Sequence, residues 1–183
     1  MKKLFLGALV GGIMLFAWQS VSWMFLPFHE DAFQRVSNQD SVIQVIAGMF
    51  PQEGQYMIPQ AAAGASQEET AKFMEVQAGK PWAMVTFHSA MKTDMTGSLT
   101  RGCLIAIFTS LLVGWIIQRK EKSSFADGFI TSLLVGLICF FYVWYNNHNW
   151  FETPWSVLRG EAYDLIIAWS LHGIWAGWWY SRK

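Results

Sequence analysis

His172 and Asp164 are ionisable side chains in an otherwise apolar stretch near the end of the chain. After Asp164 no further charged residue occurs until Arg182. An ionisable group inside a membrane helix is costly and usually faces the interior of a helix bundle. His172 could carry protons together with Asp164, two helical turns away on the same face, or bind haem or a metal. The alternative is a neutral imidazole hydrogen-bonded to a hydroxyl of another helix, for which the candidates are Ser20, Ser22 and Ser132.

The other three histidines are candidates for a metal site. His29 is followed by Glu30 and Asp31, and His148 lies in a run of asparagines. Imidazoles and carboxylates are suitable ligands for zinc, iron or copper, and soft thioethers suit Cu(I). None of these spacings is an established metal motif, so no cofactor is predicted. A transition metal remains an alternative, with the candidate ligands His29, His88, His148, Met91 and Met95.

The composition favours a membrane protein over a soluble one. Of the 183 residues, 53% are hydrophobic and 14% are charged, against roughly 45–50% and about 25% in soluble proteins. The net charge is zero, which argues against a nucleic-acid partner. The chain has two cysteines, too few for a disulfide framework or a four-cysteine metal site. The lipid bilayer is therefore the first expected partner.

The fold class that follows is an α-helical integral membrane protein with four transmembrane helices. Residues 1–26 form the first helix, an uncleaved anchor, because the apolar stretch is longer than the core of a signal peptide. The later helices are expected at 102–118, 125–145 and 162–183, the last one including a short tail. Each is long enough to cross the hydrocarbon core of a bilayer, the second only just.

The basic residues predict the orientation of these helices. Lysine and arginine concentrate on the cytoplasmic side of membrane proteins. Four alternating spans leave only Arg159 in the 146–161 loop and collect the other flanking basic residues on the opposite side: Lys2, Lys3, Arg119, Lys120, Lys122, Arg182 and Lys183. Both termini and the 119–124 loop are therefore expected in the cytoplasm of a bacterium, with the chain in its inner membrane.

Residues 27–101 are expected to form a small extracytoplasmic α/β insert between the first two helices. Apolar spacing predicts an amphipathic helix over residues 37–50. A capping box that begins at Ser66 predicts a second helix over 67–78, which ends before Gly79. Strands are expected at Tyr56–Pro59 and Trp82–His88. Such a small segment buries little by itself, so it should rest on the bundle or on a partner.

Small residues recur at four-residue spacing in the predicted membrane helices. Such faces let helix backbones approach closely in lipid. They predict either contacts between the first and fourth helices or an interface between subunits. The residues are Gly7 and Gly11 in the first helix, Gly173 and Gly177 in the fourth, and Gly128, Ser132 and Gly136 in the third.

Most of the 11 tryptophans lie near the ends of predicted helices. Interfacial anchoring is the usual role of tryptophan at those positions. Trp115 and Trp169 lie inside predicted helices and are expected to pack between them. No spacing in the sequence predicts an aromatic cage for a cationic ligand.

Several short runs resemble a family of small bacterial four-span inner-membrane proteins. The first comprises Gly11-Gly12-Ile13, Phe16, Trp18, Ser22-Trp23, Leu26-Pro27 and His29. The second comprises Gly79-Lys80-Pro81-Trp82-Ala83, His88, Met91 and Arg101-Gly102. The resemblance extends over most of the chain. It implies a fold and a membrane location, and because that family has no known activity it implies no catalytic residue.

The sequence favours a non-enzymatic function. No phosphate-binding glycine loop, zinc-protease motif or nucleophile elbow occurs, so no catalytic residue is predicted. An accessory or assembly subunit of a larger membrane complex is the first hypothesis, with other membrane proteins or a second copy as partners. The alternatives are a metal-binding or metal-handling protein on the periplasmic face and a small proton-coupled transporter that uses His172 and Asp164.

Overall fold

The computed structural model describes residues 1–182, which are mostly helical. The chain forms two compact units, one of Met1–Arg35 with the chain from Asp94 onward, and one of Val36–Thr93. In chain order the elements are α1 (Lys2–Phe25), a 3-10 helix (Pro27–Ala32), α2 (Gln39–Met49), β1 (Gly54–Ile58), α3 (Gln67–Gln77), β2 (Ala83–Phe87), α4 (Thr96–Ile117), α5 (Phe125–Cys139), a π-helical segment (Phe140–Tyr145), α6 (Asn146–Phe151) and α7 (Trp155–Ser181).

The first unit is a bundle of the four long helices. In it α1 packs against α4 and α7, and α5 packs against α7 and α4. Three helices are long and apolar enough to cross a membrane: Lys2–Phe25, Thr96–Ile117 and the continuous helical stretch Phe125–Phe151. The fourth, α7, is equally long but falls outside this set, because Asp164, His172 and several tryptophans lower its mean hydropathy.

The bundle has small and polar residues inside and large apolar residues outside. Ser22, Ser110, Ser132 and His172 are buried, whereas many large aliphatic and aromatic side chains point outward. A compact apolar cluster of Val113, Ile117, Ala176 and Tyr180 lies among α4 and α7. Such a distribution is typical of helices that pack closely in lipid, where apolar burial alone does not drive association.

Glycines set the closest contacts between α5 and α7. A Cβ atom at Gly128 would lie 2.5 Å from the backbone nitrogen of Gly177, and one at Gly177 would lie 2.6 Å from the carbonyl oxygen of Phe125. Gly173 likewise faces Phe129. The Gly173–Gly177 face, for which the sequence offered the first helix or a second subunit, therefore packs on α5.

The glycines of α1 face two other helices. Gly7 lies against Trp179 and Tyr180 of α7. This agrees with the predicted contact between the first and fourth helices. Gly11 lies against both Ser110 and His172, and a Cβ at Gly12 would meet the backbone of Ile107 at 2.3 Å. The α1 glycine face therefore holds both α4 and α7 close.

The bundle helices extend beyond the apolar segments that predicted them. The second long helix begins at Thr96 rather than at residue 102, and the fourth begins at Trp155 rather than at 162. Helical hydrogen bonding continues through polar residues, whereas a hydropathy pattern marks only the apolar part of a helix. Residues 27–35, predicted to belong to the insert, are part of the bundle unit.

One end of the bundle is basic. The Lys3 ammonium donates to the carbonyl of Arg182, and Trp179 Nε1 donates to the carbonyl of Lys3 at 2.8 Å. A cavity of about 350 Å³ at this end is lined by Lys3, Lys120, Lys122 and Arg182, among others. Four of the basic residues predicted to share one side of the membrane thus lie together in the fold.

The second unit contains the elements predicted for it. β1 and β2 pair antiparallel, with Tyr56 opposite Val85. Ser66 and Glu69 form the predicted capping box, and α3 begins immediately after Ser66. The predicted helix over residues 37–50 is observed as α2.

Candidate functional site

His172 occupies a closed hydrogen-bonded position at the centre of the bundle. It is 1% exposed and is contacted from two other helices. Its Nε2 lies 2.8 Å from Ser110 Oγ of α4, and its Nδ1 lies 3.0 Å from Ser132 Oγ of α5. Gly11 of α1 provides the space, because a Cβ there would lie 3.0 Å from Nε2. Four helices therefore meet at this ring.

The hydrogen bonds around His172 determine which nitrogen carries its proton. Ser132 Oγ donates to the carbonyl of Gly128 at 2.8 Å, one turn earlier in α5. A hydroxyl has a single proton, so Ser132 accepts from Nδ1, which carries the hydrogen. Nε2 is then the acceptor for the Ser110 hydroxyl. A neutral imidazole satisfies all these groups. This arrangement is the alternative that the sequence offered, with Ser132 among the candidate hydroxyl partners.

A second buried histidine lies at the opposite end of the bundle from the basic residues. The 3-10 helix positions His29, which is 7% exposed, with Nε2 at 3.1 Å from Asp164 Oδ2 and 3.3 Å from Ser22 Oγ. An ionised carboxylate only accepts hydrogen bonds, so Nε2 carries a hydrogen. Trp18 Nε1 donates to the other carboxylate oxygen, Asp164 Oδ1, at 3.0 Å.

Close packing supports this second arrangement. The His29 ring stacks on the indole of Trp23, with ring centroids 4.0 Å apart and an interplanar angle of 10°. Gly160 permits the approach of α7, because a Cβ there would lie 2.6 Å from His29 Nδ1. His29 thus connects the 3-10 helix to both α1 and α7.

A cavity of about 460 Å³ lies beside Asp164, among α1, α4, α5 and α7. Its lining includes two carboxylates, Asp164 and Glu161. Five aromatic rings also line it: Trp18, Trp23, Phe140, Trp144 and Trp169. Trp18, Trp23 and Trp144 were expected only to anchor helix ends, and their place in one cavity wall is an addition to that interpretation.

The π-helical segment contributes to the cavity wall. Phe140 is its first residue, and both Phe140 and Trp144 line the cavity. A π-helical turn is wider than an α-turn and is frequently found at functional sites. Gly136, one turn earlier, lets Trp169 of α7 lie across α5, since a Cβ there would meet its ring at 2.5 Å.

Asp164 and His172 belong to separate hydrogen-bonded sets. Asp164 contacts Trp18 and His29, whereas His172 contacts Ser110 and Ser132. Trp169 lines the cavity and packs edge-on against the His172 ring, with centroids 5.7 Å apart. No hydrogen bond within residues 1–182 joins the two sets, and a proton path between them stays a prediction.

Each predicted histidine ligand has a hydrogen-bond or ion-pair partner of its own. His148 Nδ1 donates to the carbonyl of Thr153 at 2.7 Å, and His88 Nδ1 lies 3.8 Å from Glu53 Oε2. Met91 and Met95 are exposed. Across residues 1–182 no three His, Cys, Asp or Glu side chains are grouped so that they could hold a metal ion. The metal alternative therefore stays a prediction from ligand type.

Sequence reasoning missed Ser110 and Trp18 as partners of the two ionisable groups. Ser110 is a polar residue in the middle of an apolar helix, and this was the available signal. Trp18 gave no comparable signal, because tryptophan near a helix end is ordinarily read as an interfacial anchor.

Comparison with protein-family models, curated proteins and solved structures finds no match. The function must therefore be argued from the geometry of this chain.

Proposed function

We propose that this chain is a four-span protein of the bacterial inner membrane and a non-enzymatic subunit of a larger membrane complex. The three long apolar helices support membrane insertion. A fourth span is supported by α7, because it packs along both α1 and α5 and is buried at Leu158, His172 and Ala176. A helix held inside the bundle over such a length would cross the membrane with its neighbours.

The charge distribution supports cytoplasmic termini. The basic end of the bundle gathers Lys3, Lys120, Lys122 and Arg182. The positive-inside rule assigns this end to the cytoplasm. The 36–93 unit follows α1 and precedes α4, so it would be extracytoplasmic.

The exposed helices of the 36–93 unit carry the proposal of a subunit role. Neither α2 nor α3 contains a buried residue. Val42, Val45 and Met49 lie at three- and four-residue spacing on one face of α2, and all three are exposed. Apolar surface of this kind marks a site of protein or membrane contact. A protein partner that covers the α2 face would explain why a unit with so small a core retains these side chains.

Native mass spectrometry of tagless protein, extracted from its own membrane in mild detergent, tests this proposal. We expect a discrete complex heavier than the 20.9 kDa chain. Val45→Glu and Met49→Glu, which lie on the same face, should dissociate the partner. Gln44→Glu adds the same charge to an exposed polar position of α2 and should leave the complex intact.

Three results would contradict the proposal. One is the bare monomer mass for the wild-type chain. Another is a complex that survives both apolar substitutions. The third is a complex that is lost equally in Gln44→Glu, which would show an effect of charge rather than of the apolar face.

A further inference from the structure

We propose that the cavity among α1, α4, α5 and α7 binds an organic cation with an ammonium or quaternary ammonium group. The cavity measures about 460 Å³. Pockets for small organic ligands occupy roughly 300–1,000 Å³, whereas a water molecule takes about 30 Å³ of liquid volume. The space therefore suits a small organic molecule better than a single ion or water.

The charged groups of the lining determine the sign of the ligand. Asp164 already accepts hydrogen bonds from Trp18 and His29. Glu161 lies one helical turn earlier, is only partly exposed, and has no hydrogen bond or ion pair to any residue within 1–182. The lining includes no lysine, arginine or histidine. A carboxylate in an apolar surrounding is costly without a counter-charge, and a bound cation would supply one.

The aromatic rings favour an organic cation. The faces of tryptophan and phenylalanine rings are electronegative and attract ammonium groups, with tryptophan the strongest. Trp18, Trp23, Trp144 and Trp169 all line this one cavity. These rings would also contact the apolar part of an amphipathic ligand, so both halves of such a molecule find complementary surface.

A hard metal ion fits the cavity poorly. Calcium takes about six to eight oxygen ligands, and magnesium requires nearly octahedral coordination. Two carboxylates on one helix among aromatic rings do not offer that set. The absence of any suitable three-residue group within residues 1–182 agrees with this view.

The same ammonium chemistry could come from a free organic cation or from the headgroup of phosphatidylethanolamine. Titration calorimetry of the full chain in nanodiscs separates these sources. The discs contain only phosphatidylglycerol, which has no ammonium, and the probe is benzyltrimethylammonium. Its neutral carbon isostere, neopentylbenzene, is the control ligand. A second set of discs also contains phosphatidylethanolamine.

We expect the cation to bind and the neutral isostere to bind more weakly by about tenfold, which corresponds to ~1.4 kcal/mol. Glu161→Gln should weaken cation binding by about tenfold, and Trp144→Leu by about threefold. The matched controls Glu121→Gln and Trp115→Leu lie outside the cavity and should not change the affinity. Ala106→Leu, which adds bulk to the lining, should reduce binding without removing any charge.

If phosphatidylethanolamine in the discs weakens binding of benzyltrimethylammonium, the natural ligand is the lipid headgroup. If binding of the probe is undiminished, the natural ligand is a free organic cation. Either result supports the shared chemistry. Absence of cation binding in phosphatidylglycerol discs, equal affinity for the neutral isostere, or an unchanged affinity in Glu161→Gln would overturn it. The outcome does not depend on whether the 36–93 unit has a protein partner.

Discussion

The two buried histidines of the bundle have opposite kinds of surroundings. His172 is enclosed by hydroxyl groups from α4 and α5, and its ring nitrogens have one partner each. His29 shares Nε2 between a carboxylate and a hydroxyl, and that carboxylate, Asp164, lines a cavity. The first arrangement is complete and joins helices. The second borders space that a ligand could occupy. The difference shows that a histidine in an apolar segment is not by itself evidence of a binding or proton-transfer site.

Replacement of His172 should have the largest effect on stability. His172→Ala removes a ring at the contact of four helices and leaves a cavity, so we expect a loss of about 3 kcal/mol in unfolding free energy. Unfolding of the detergent-solubilised protein by SDS would measure it. His88→Ala, at an exposed position of the other unit, should change the value by less than about 0.5 kcal/mol. Equal losses in the two variants would contradict the contrast.

Separation of α5 from α7, which hold His172 and its partner Ser132, should lower the stability of the bundle. In Gly128→Ala the added methyl group would lie only 2.5 Å from the backbone nitrogen of Gly177. We expect this clash to lower the free energy of unfolding by about 2 kcal/mol. Gly48→Ala is the matched control, because nothing lies within 4 Å of that position in α2. The same SDS titration measures both. A Gly128→Ala protein as stable as wild type would show that the helices are not so closely packed.

Removal of Asp164 should loosen one end of the bundle. Asp164→Ala removes the carboxylate that accepts hydrogen bonds from Trp18 and His29. We expect the free energy of unfolding to fall by about 1.5 kcal/mol. This is less than for His172, because the neighbouring cavity can admit water. Hydrogen exchange should accelerate in the 3-10 helix, which His29 holds against α7. Asp31→Ala breaks only an exposed pair with Arg159 and should leave that exchange unchanged.

The exposed His88–Glu53 pair is a third case. Protonation of Glu53 should change the stability of the protein less than the substitutions above. The hydroxyl and backbone N–H of Ser89 both donate to Glu53 and lower the pKa of its carboxyl group from the ordinary 4.5. A lowered folded-state pKa stabilises the two-stranded sheet above pH 4.5, and this contribution is lost as the pH falls through the folded-state value. NMR of the backbone N–H of residue 89 should detect the change, and Ser89→Ala, which loses the hydroxyl but keeps the backbone N–H, should reduce it.

The sequence predicted local structure well because local rules determine it. Ser66 and Glu69 form their capping box within one turn, and the alternation around Val85 marks a strand. The apolar stretches likewise located α1, α4 and α5. Their ends were less accurate, as the start of α4 at Thr96 shows.

The partners of the long helices were harder to predict. Four-residue spacing identifies the face of a helix but not the neighbour that covers it. The sequence offered the first helix or a second subunit for Gly173 and Gly177, and α5 lies there. Ser132 was among the candidate partners of His172, whereas Ser110 was not. The cavity depends on four helices at once, and the spacing of Trp18 or Trp144 within its own helix does not reveal it.

Nitrogen NMR of ring-labelled histidines in the full-length chain tests the central contrast most directly. His172→Gln and His29→Gln would assign the signals. We predict a hydrogen on Nδ1 and a bare Nε2 for His172, and a hydrogen on Nε2 for His29. A His172 ring with hydrogens on both nitrogens, or on Nε2 alone, would contradict the closed hydrogen-bonded arrangement at the centre of the bundle.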